Sequence, residues 1–481
     1  MAYEELSNPL AMGVFLATLL LPILVGLFAM RRTRNQSDFL LGGRAMGRLV
    51  VALSAVASGR SSWLVLGVSG MAYMRGAGAV WAVAGYTLAE LFQFVFIGRP
   101  LRAAAGRHDS LTLLDYFESR FDDRRHLIRA TGAVIIGIFL TAYVAAQFNA
   151  GAKALSTALD LPLLAALAAS GVLVLVYMVL GGFVAVAYND VVRAFIMIIG
   201  LIALPALGLY EIGGLGALLV TLQPLHPAHV DPFSIGTGAL LGFLGIGLGS
   251  PGQPHVVVRY MSVADPARLR SAAVIGTVWN VVLGWGAVFI GLVARVQVGD
   301  PAALPGGDPE MAFLVLSTRE FGPIMYGLLV GGIFAAILST VDSQLLVVAS
   351  TAVRDVYEKI LMAGRQVDPH RALALNRIVV VAAGLLALVF AYAAQDLVFW
   401  LVLFAWGGLG AALGPALILS LAWPRTTRAG VVAGMITGAV TTIVWKQWFS
   451  APTGIYELLV AFPAAMIAIA AVSLAAGRGR R

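Results

Sequence analysis

Apolar residues fall in long runs along this chain, and short polar or Gly/Pro-rich segments separate the runs. A helix needs about 20 apolar residues to cross the hydrocarbon core of a bilayer, and most of the runs are that long. The pattern predicts an all-α integral membrane protein, with about 13 transmembrane helices in a single transmembrane domain, residues 1–481. The predicted spans lie near 9–30, 47–72, 77–98, 127–157, 160–180, 183–209, 235–258, 271–297, 322–353, 373–394, 397–422, 428–448 and 456–476.

Composition supports the membrane prediction and excludes several classes of function. The chain is 60% hydrophobic and 12% charged, with a mean hydropathy of +0.91, whereas a soluble domain has roughly 25% charged residues. It has no cysteine, which excludes disulfides, thiolate metal sites and cysteine nucleophiles. There is no phosphate loop, catalytic triad or nucleotide fingerprint, so neither an enzyme nor a cofactor is expected.

The net charge of +8 is a topology signal, because most of the 32 basic residues fall in loops on one side of the predicted spans. The opposite side has Arg75, Arg295, Arg319 and Lys446. Cytoplasmic loops carry the Lys/Arg excess, so we expect a multi-pass protein of the cell (inner) membrane, with its N-terminus outside and its C-terminus in the cytoplasm. The lipid bilayer is an expected partner. Nucleic acid is not, and no obligatory protein partner is evident.

A polar group interrupts the ninth span. Ser339, Thr340, Asp342 and Ser343 lie in an otherwise apolar helix, and most of them share one face. A carboxylate and three hydroxyls at membrane depth are costly to leave unpaired, so they predict an ion or substrate path. The alternative is that they form hydrogen bonds that join two helices.

Two spans are predicted to be broken. The second has Arg60 among small residues, and the seventh, GFLGIGLGSPGQPHVVVRY, is rich in glycine and proline, which do not favour an unbroken helix. The two breaks lie five spans apart, which predicts a 5+5 inverted repeat with the binding site at the breaks. Core repeat one would cover about 47–209 and core repeat two about 235–422, with flanking helices at 9–30, 428–448 and 456–476. Glycine-rich packing seams are the alternative.

Five stretches, in order along the chain, carry a family resemblance. They are SDFLLGGRAMG from Ser37, LTLLDYFESRF from Leu111, GGFVAVAYNDVVRAF from Gly181, GQPHVVVRYMSVAD from Gly252 and ILSTVDSQLLVVAS from Ile337. Together they resemble the sodium/solute symporter family and, within it, the sodium/proline symporter branch. The resemblance implies a LeuT-type core of ten helices, with one extra helix before it and two after it. It also implies cation-coupled uptake of a small organic solute by alternating access.

The resemblance implies two cation sites. The first, for Na⁺ as coupling ion, would use the carbonyls of Ala57, Arg60 and Ala336 and the hydroxyls of Ser339 and Thr340. A possible second site, nearer the cytoplasm, would use Asp190, Ser339, Asp342 and Ser343.

This chain departs from the family pattern around the first site. Gly59 replaces an acidic residue, Arg60 replaces an apolar one, and Asp342 stands where a serine is usual. We therefore expect a buried Arg60–Asp342 pair. Three consequences stay open: Arg60 makes transport sodium-independent or proton-coupled, Asp342 neutralises it, or it binds a substrate carboxylate in a bidentate manner.

The implied substrate pocket draws on the third core helix and on both breaks. Its candidate residues are Ser61, Tyr143, Ile246, Ser250, Gln253 and Pro254. Ile246 and Ser250 replace a Trp and a Tyr, which enlarges the pocket and removes a ring surface. The expected substrate is a small organic solute, amino-acid or carboxylate-like; proline is possible, but the loss of the two aromatic residues argues against it. A non-transporting sensor or a passive cation pathway is the alternative class.

Overall fold

The structure is a computed structural model that describes residues 5–30, 36–178, 183–362, 365, 367–394 and 396–478. The basic residues Arg31, Arg32 and Arg34, used in the topology prediction, lie outside the described residues, as do the first two residues of the GGFVAVAYNDVVRAF motif. The described residues are helical almost throughout, and their one β-type contact is a parallel bridge between Met46 and Val263.

The first half of the chain forms eleven α-helices with π-helical and 3₁₀ turns between some of them. They are α1 (Pro9–Met30), α2 (Gln36–Leu41), α3 (Arg48–Ser62), α4 (Ser69–Arg75), α5 (Val80–Phe92), α6 (Gly98–Arg107), α7 (Leu113–Phe121), α8 (Leu127–Leu159), α9 (Leu163–Met178), α10 (Phe183–Ile212) and α11 (Leu215–Leu222). The π-helical turns are Trp63–Val68 and Gln93–Ile97. The 3₁₀ turns are Glu5–Ser7, Gly42–Arg44, Gly76–Ala79 and Pro227–His229.

The second half adds ten α-helices. They are α12 (Thr237–Gly245), α13 (Pro254–Ser262), α14 (Leu269–Gln297), α15 (Ala312–Glu320), α16 (Pro323–Ser350), α17 (Pro369–Ala393), α18 (Val398–Ala422), α19 (Arg428–Val444), α20 (Ser450–Thr453) and α21 (Leu458–Arg478). The π-helical turns are Thr351–Leu361 and Trp445–Phe449. The 3₁₀ turns are Ile246–Gly252, Pro266–Arg268, Pro301–Ala303, Pro305–Gly307 and Pro309–Met311.

Each predicted span coincides with helix, but the number of membrane crossings stays a prediction. Among the described residues, nine helices are long and apolar enough to cross a membrane. Two shorter apolar helices lie at Pro9–Pro22 and Leu163–Leu175. The second and third predicted spans fall in one helical stretch, Arg48–Arg107, which Gly76 interrupts with φ 69° and ψ −146°.

Both predicted breaks are confirmed. In the second span, Ser61 leaves the helical region with φ 51° and ψ −170°, so α3 ends and the chain continues as a π-helical turn. In the seventh span, the 3₁₀ turn Ile246–Gly252 separates α12 from α13, and Pro254 opens α13 where its missing N–H costs nothing. Glycine is required at this turn because a Cβ on Gly252 would lie 2.5 Å from the Leu409 carbonyl of α18.

The broken helices lie in the middle of the molecule. α16 packs against α1, α3, α8 and α10, while α18 packs along the 3₁₀ turn between α12 and α13. Ser339, Thr340, Asp342 and Ser343 are all buried, and the hydroxyls of Ser339 and Thr340 face the broken span α3.

Candidate functional site

Four of the five predicted ligands of the first cation site lie together. The Ser339 hydroxyl is 3.1 Å from the Ala57 carbonyl and 2.9 Å from the Ala336 carbonyl, within hydrogen-bonding distance of both. The Thr340 hydroxyl donates to the Ser58 carbonyl over 3.1 Å. The fifth predicted ligand, the Arg60 carbonyl, accepts from the Trp63 N–H at the end of α3. This set of carbonyl and hydroxyl oxygens suits Na⁺, which transporters bind with unwound backbone carbonyls at helix breaks.

The residues of the predicted second cation site are also connected, but two guanidinium groups lie among them. Asp190 Oδ2 accepts from the Ser54 hydroxyl at 2.6 Å and from Ser58 at 2.9 Å. Arg259 Nη2 is 3.2 Å from the same oxygen and also donates to Ser343. Ser343 donates in turn to the Ser339 carbonyl over 2.8 Å.

Asp342 belongs to the same group through a second arginine. Arg193 Nη1 donates to Asp342 Oδ2 over 2.7 Å and lies 3.7 Å from Asp190 Oδ1. We call Asp190, Arg193, Arg259 and Asp342, with Ser54, Ser58 and Ser343, the arginine–aspartate network. Its two carboxylates and two guanidiniums balance in charge, and all four side chains are buried. Sequence analysis missed both arginines, although Arg193 follows Asp190 by one helical turn and so shares its face.

The predicted Arg60–Asp342 pair is wrong, because the structure gives each charge another partner. Arg60 Nε donates to Asn280 Oδ1 over 2.8 Å, and Arg60 Nη2 lies 3.8 Å from Glu90 Oε2. The guanidinium carbon is 3.5 Å from the centre of the Tyr86 ring, and Asn280 also donates to Glu90. We call Arg60, Tyr86, Glu90 and Asn280 the Arg60 cluster.

Arg60 and Asp342 do not pair because their side chains point toward different helices. Arg60 faces α5 and α14, which carry Glu90 and Asn280, whereas Asp342 faces α10, which carries Arg193. The structure also explains why position 59 is a glycine. A Cβ there would lie 2.1 Å from the Tyr86 hydroxyl. An acidic side chain at position 59 would therefore need Tyr86 to move.

The predicted substrate residues line the two breaks. At the first, the Tyr143 hydroxyl is 3.4 Å from the Ser61 hydroxyl, and the Tyr143 ring packs edge-on to His255 at 6.1 Å. Gln147 of the same helix accepts from both the N–H and the hydroxyl of Ser62, at 3.1 and 2.8 Å.

At the second break, Gln253 and Ser250 contact neighbouring helices. The Gln253 amide donates to the carbonyls of Gly249 and Trp406, at 3.1 and 2.9 Å. Ser250 accepts from Gln93, the first residue of the π-helical turn that follows α5. Ile246 takes part through its carbonyl, which accepts from the Trp406 indole over 2.8 Å.

Several buried polar atoms at these breaks have no hydrogen-bond partner among the described residues. They are Gln147 Nε2, Gln253 Oε1 and Gln93 Oε1. Buried polar groups are normally paired, so this concentration marks a place where a small polar molecule would find donors and acceptors.

Aromatic side chains cover the breaks on one side. Trp63 stacks on Phe399 at 5.7 Å and lies 6.4 Å from Tyr86, and Phe399 also meets Phe243 edge-on at 6.1 Å. Tyr86 in turn lies 5.2 Å from Trp406. We call these five residues the aromatic cluster.

A buried carboxylate binds the N-terminal end of α18, the helix that carries Phe399. Glu310, on the segment between α14 and α16, accepts the N–H groups of Val398 and Phe399, both at 2.9 Å. Lys153 of α8 donates to the same carboxylate over 2.8 Å. Glu310 thus caps the first turn of α18, and burial raises its pKa even though Lys153 opposes the shift.

Three comparisons place the chain among known proteins. The model of the sodium:solute symporter family matches residues 39–438. The chain is 35% identical to the sodium/proline symporter of Escherichia coli (strain K12), over 94% of this chain and 90% of that protein. It is 34% identical to the high-affinity proline transporter PutP of Bacillus subtilis (strain 168), over 94% and 95%.

Solved structures show the same fold. A Na⁺-coupled sialic acid symporter in a substrate-bound outward-open state superposes with a TM-score of 0.80, at 18% identity, over 96% of this chain and 97% of that chain. The nucleobase-cation-symport-1 family transporter Mhp1, in a closed conformation, superposes with a TM-score of 0.60 at 15% identity over 92% and 95%. The all-helical LeuT-type fold is therefore confirmed, and so is the resemblance predicted from the five motifs. The chain performs Na⁺-coupled symport of a small solute rather than enzymatic chemistry, and it belongs to the sodium:solute symporter family.

Proposed function

We propose that this symporter carries a small zwitterionic amino or imino acid, of which L-proline is the first to test. The observation that carries the proposal is the set of unpaired polar atoms at the two helix breaks. The unpaired amide atoms of Gln147 and Gln253 can hydrogen-bond an amino-acid headgroup, and the Tyr143 hydroxyl, 3.4 Å from the Ser61 hydroxyl, lies beside the first break. The buried rings of Trp63 and Tyr86 offer apolar surface to its body.

For the coupling ion, we assign Na⁺ to the carbonyls of Ala57 and Ala336, the hydroxyls of Ser339 and Thr340, and the Arg60 carbonyl. These groups come from α3 and α16, so an ion bound there would hold the two helices together. Ser61, at the break of α3, follows Ala57 by one helical turn. Ion binding would therefore fix the backbone that positions the substrate pocket. This linkage supports symport by alternating access.

We infer that the membrane is the cell (inner) membrane, with the N-terminus outside and the C-terminus in the cytoplasm. The uneven distribution of Lys and Arg among the loops supports this orientation. We also keep the division into core repeats at about 47–209 and 235–422, which the spacing of the two breaks supports.

The test is uptake of radiolabelled L-proline and a panel of competing amino acids into proteoliposomes, with Na⁺ or choline outside at fixed pH. Thr340→Ala should weaken apparent Na⁺ affinity about tenfold and lower uptake with it, because one ligand hydroxyl is lost. Ser350→Ala is the matched control, since that hydroxyl, on the same helix, donates only to the Val347 carbonyl at 2.9 Å. An unchanged Na⁺ dependence in Thr340→Ala would contradict the assigned site.

Proton coupling is the second candidate, and the Arg60 cluster is the observation that favours it. Glu90 is fully buried beside Arg60, and its Oε1 has no hydrogen-bond partner among the described residues. A buried carboxyl at membrane depth is a group that can carry a proton. Accumulation in choline, driven by a pH gradient alone and abolished by Glu90→Gln, would establish proton coupling beside the Na⁺ coupling of the family.

A further inference from the structure

Arg60 has a buried guanidinium that uses little of its hydrogen-bonding capacity. A guanidinium has five N–H donors, and among the described residues Arg60 donates only from Nε, to Asn280 over 2.8 Å. Nη2 has no hydrogen-bond partner there, although the side chain is only 1% exposed. Its distance to Glu90 Oε2 is 3.8 Å, longer than the roughly 2.9 Å of a charge-assisted hydrogen bond. Unpaired buried donors are costly, so this arrangement favours a further acceptor beside Arg60.

Glu90 has free capacity of the opposite kind. Its Oε2 accepts from Asn280, while its Oε1 has no hydrogen-bond partner among the described residues, and the side chain is fully buried. Arg60 and Glu90 therefore present an unpaired donor and an unpaired acceptor of opposite charge side by side. The carboxylate and the ammonium of an amino acid match these charges and are joined through a single carbon atom. A zwitterion would satisfy both groups without adding net charge, whereas a lone anion or cation would leave an uncompensated buried charge.

The Arg60 cluster lies between the two helix breaks. Arg60 directly precedes Ser61, where the first break occurs, and the Tyr143 phenol at that break interacts electrostatically with the guanidinium. The Tyr86 ring lies 3.5 Å from the guanidinium carbon, and the Tyr86 hydroxyl interacts with Ser250 at the second break. The charged pair is therefore adjacent to the residues that line the proposed substrate pocket.

Asn280 keeps the two charges from joining directly. Its Oδ1 accepts from Arg60 Nε, and its Nδ2 donates to Glu90. The amide thus bridges the guanidinium and the carboxylate, and it holds them at a separation that leaves one free group on each side. Glu90 follows Tyr86 by four residues on α5, so one face of that helix carries both the ring and the acid.

We propose that Arg60 and Glu90 bind the charged headgroup of the solute, with its carboxylate on the Arg60 guanidinium and its ammonium on Glu90. Tyr86 and Asn280 position the pair. The choice of a zwitterion rests on the proposed function, whereas the need for an acceptor and a donor rests on the unpaired atoms. Arg60 also contributes its carbonyl to the assigned Na⁺ site. One residue therefore contacts the ion through its backbone and the solute through its side chain.

The experiment is isothermal titration calorimetry of the purified protein in nanodiscs, in Na⁺, with three ligands. L-Proline carries both charges, L-prolinamide lacks the carboxylate, and tetrahydrofuroate lacks the ammonium. The wild type should bind L-proline at least about tenfold more tightly than either analogue, because each analogue leaves one buried charge without its partner.

Two variants should show opposite selectivity. Arg60→Gln should weaken L-proline binding about a hundredfold and L-prolinamide binding less than about threefold, because the amide makes no ion pair with Arg60. Glu90→Gln should weaken L-proline and L-prolinamide but leave tetrahydrofuroate binding unchanged. The comparison is between ligands within one variant, so a smaller folded fraction does not alter the ratio of Kd values. Arg60→Lys, which keeps the charge, should bind L-proline with an intermediate affinity.

Arg129→Gln is the matched control. Arg129 is also buried, and its guanidinium pairs with Asp115, Glu118 and Asp355 in a separate cluster. The same chemical change there should leave the ratio of L-proline to L-prolinamide affinity at its wild-type value.

The outcomes separate this proposal from the proposed function. If the wild type binds L-proline and Arg60→Gln weakens all three ligands equally, Arg60 has a structural role only. The headgroup assignment is then overturned, and the proposed function stands. Unchanged selectivity in Glu90→Gln overturns the ammonium contact in the same way. Absence of L-proline binding to the wild type overturns the proposed substrate itself.

Discussion

Two buried arginine clusters lie on opposite faces of α3, and they are built differently. The arginine–aspartate network joins α3, α10, α13 and α16 through two guanidiniums, two carboxylates and the serine hydroxyls that bridge them. The Arg60 cluster joins α3, α5 and α14 through one guanidinium, one carboxylate, one amide and the face of one ring.

The difference is in the number of hydrogen bonds that Arg259 and Arg60 form. Arg259 donates to Ser54, Ser58, Ser343 and the His255 carbonyl, besides its ion pair with Asp190. Arg60 has one hydrogen bond, a 3.8 Å ion pair and the Tyr86 ring, and its Nη2 has no hydrogen-bond partner among the described residues. We infer that the network mainly fixes the packing of four helices. The Arg60 cluster instead keeps an unpaired hydrogen-bond donor, Arg60 Nη2, beside the broken span.

The largest effect is expected from Arg259→Gln. The change leaves the buried Asp190 carboxylate with only Arg193, at 3.7 Å, as a cation and removes a contact shared by four helices, so we expect a loss of about 3–5 kcal/mol of stability. Thermal unfolding of the detergent-solubilised protein measures it. Arg259→Gln/Asp190→Asn should recover part of the loss, because the uncompensated charge is gone. Equal melting temperatures for the wild type and Arg259→Gln would show that Arg259 does not stabilise the packing of the four helices.

Arg60→Gln should have a smaller effect, about 3 kcal/mol at most, because Asn280 still donates to Glu90 and fewer contacts are lost. The paired variant Arg60→Gln/Glu90→Gln should be more stable than Arg60→Gln alone in the same unfolding assay. If the two arginine variants lose the same stability, the number of hydrogen bonds is not what distinguishes the clusters.

Gly59→Ala should have the smallest effect, about 1–3 kcal/mol, since a methyl group would overlap the Tyr86 hydroxyl. Tyr86→Phe removes that hydroxyl and keeps the ring under Arg60, so Gly59→Ala/Tyr86→Phe should regain most of the loss. Unfolding temperatures of the three variants test this. A double variant no more stable than Gly59→Ala would locate the strain elsewhere.

Sequence patterns predicted the features that are local along the chain. The breaks at Ser61 and at Ile246–Gly252 follow from glycine, proline and polar residues in apolar runs. The grouping of Ser339 with Ala336 follows from helical periodicity. The close approach of Ser339 to Ala57 needed the family resemblance, because those residues lie 282 positions apart.

The partners of Arg60, one carboxylate and one amide, could not be predicted in the same way. Glu90 and Asn280 are single polar residues within apolar spans, and nothing in their neighbourhood indicates which helix they face. Pairing Arg60 with Asp342 joined the two most conspicuous charges and ignored the direction in which each helix presents its side chain. The assigned ligands, the repeat bounds and the count of 13 spans stay predictions.

Glu310 links the aromatic cluster to the segment between α14 and α15. Its carboxylate binds the first two N–H groups of α18 and also Lys153 of α8, so three separate parts of the chain meet at one side chain. Phe399 cannot swing away from Trp63 by rotation of α18 unless that helix end parts from Glu310 or the loop travels with it. We therefore expect that uncovering the first helix break displaces the loop and the helix end together, and that Glu310 couples the two movements.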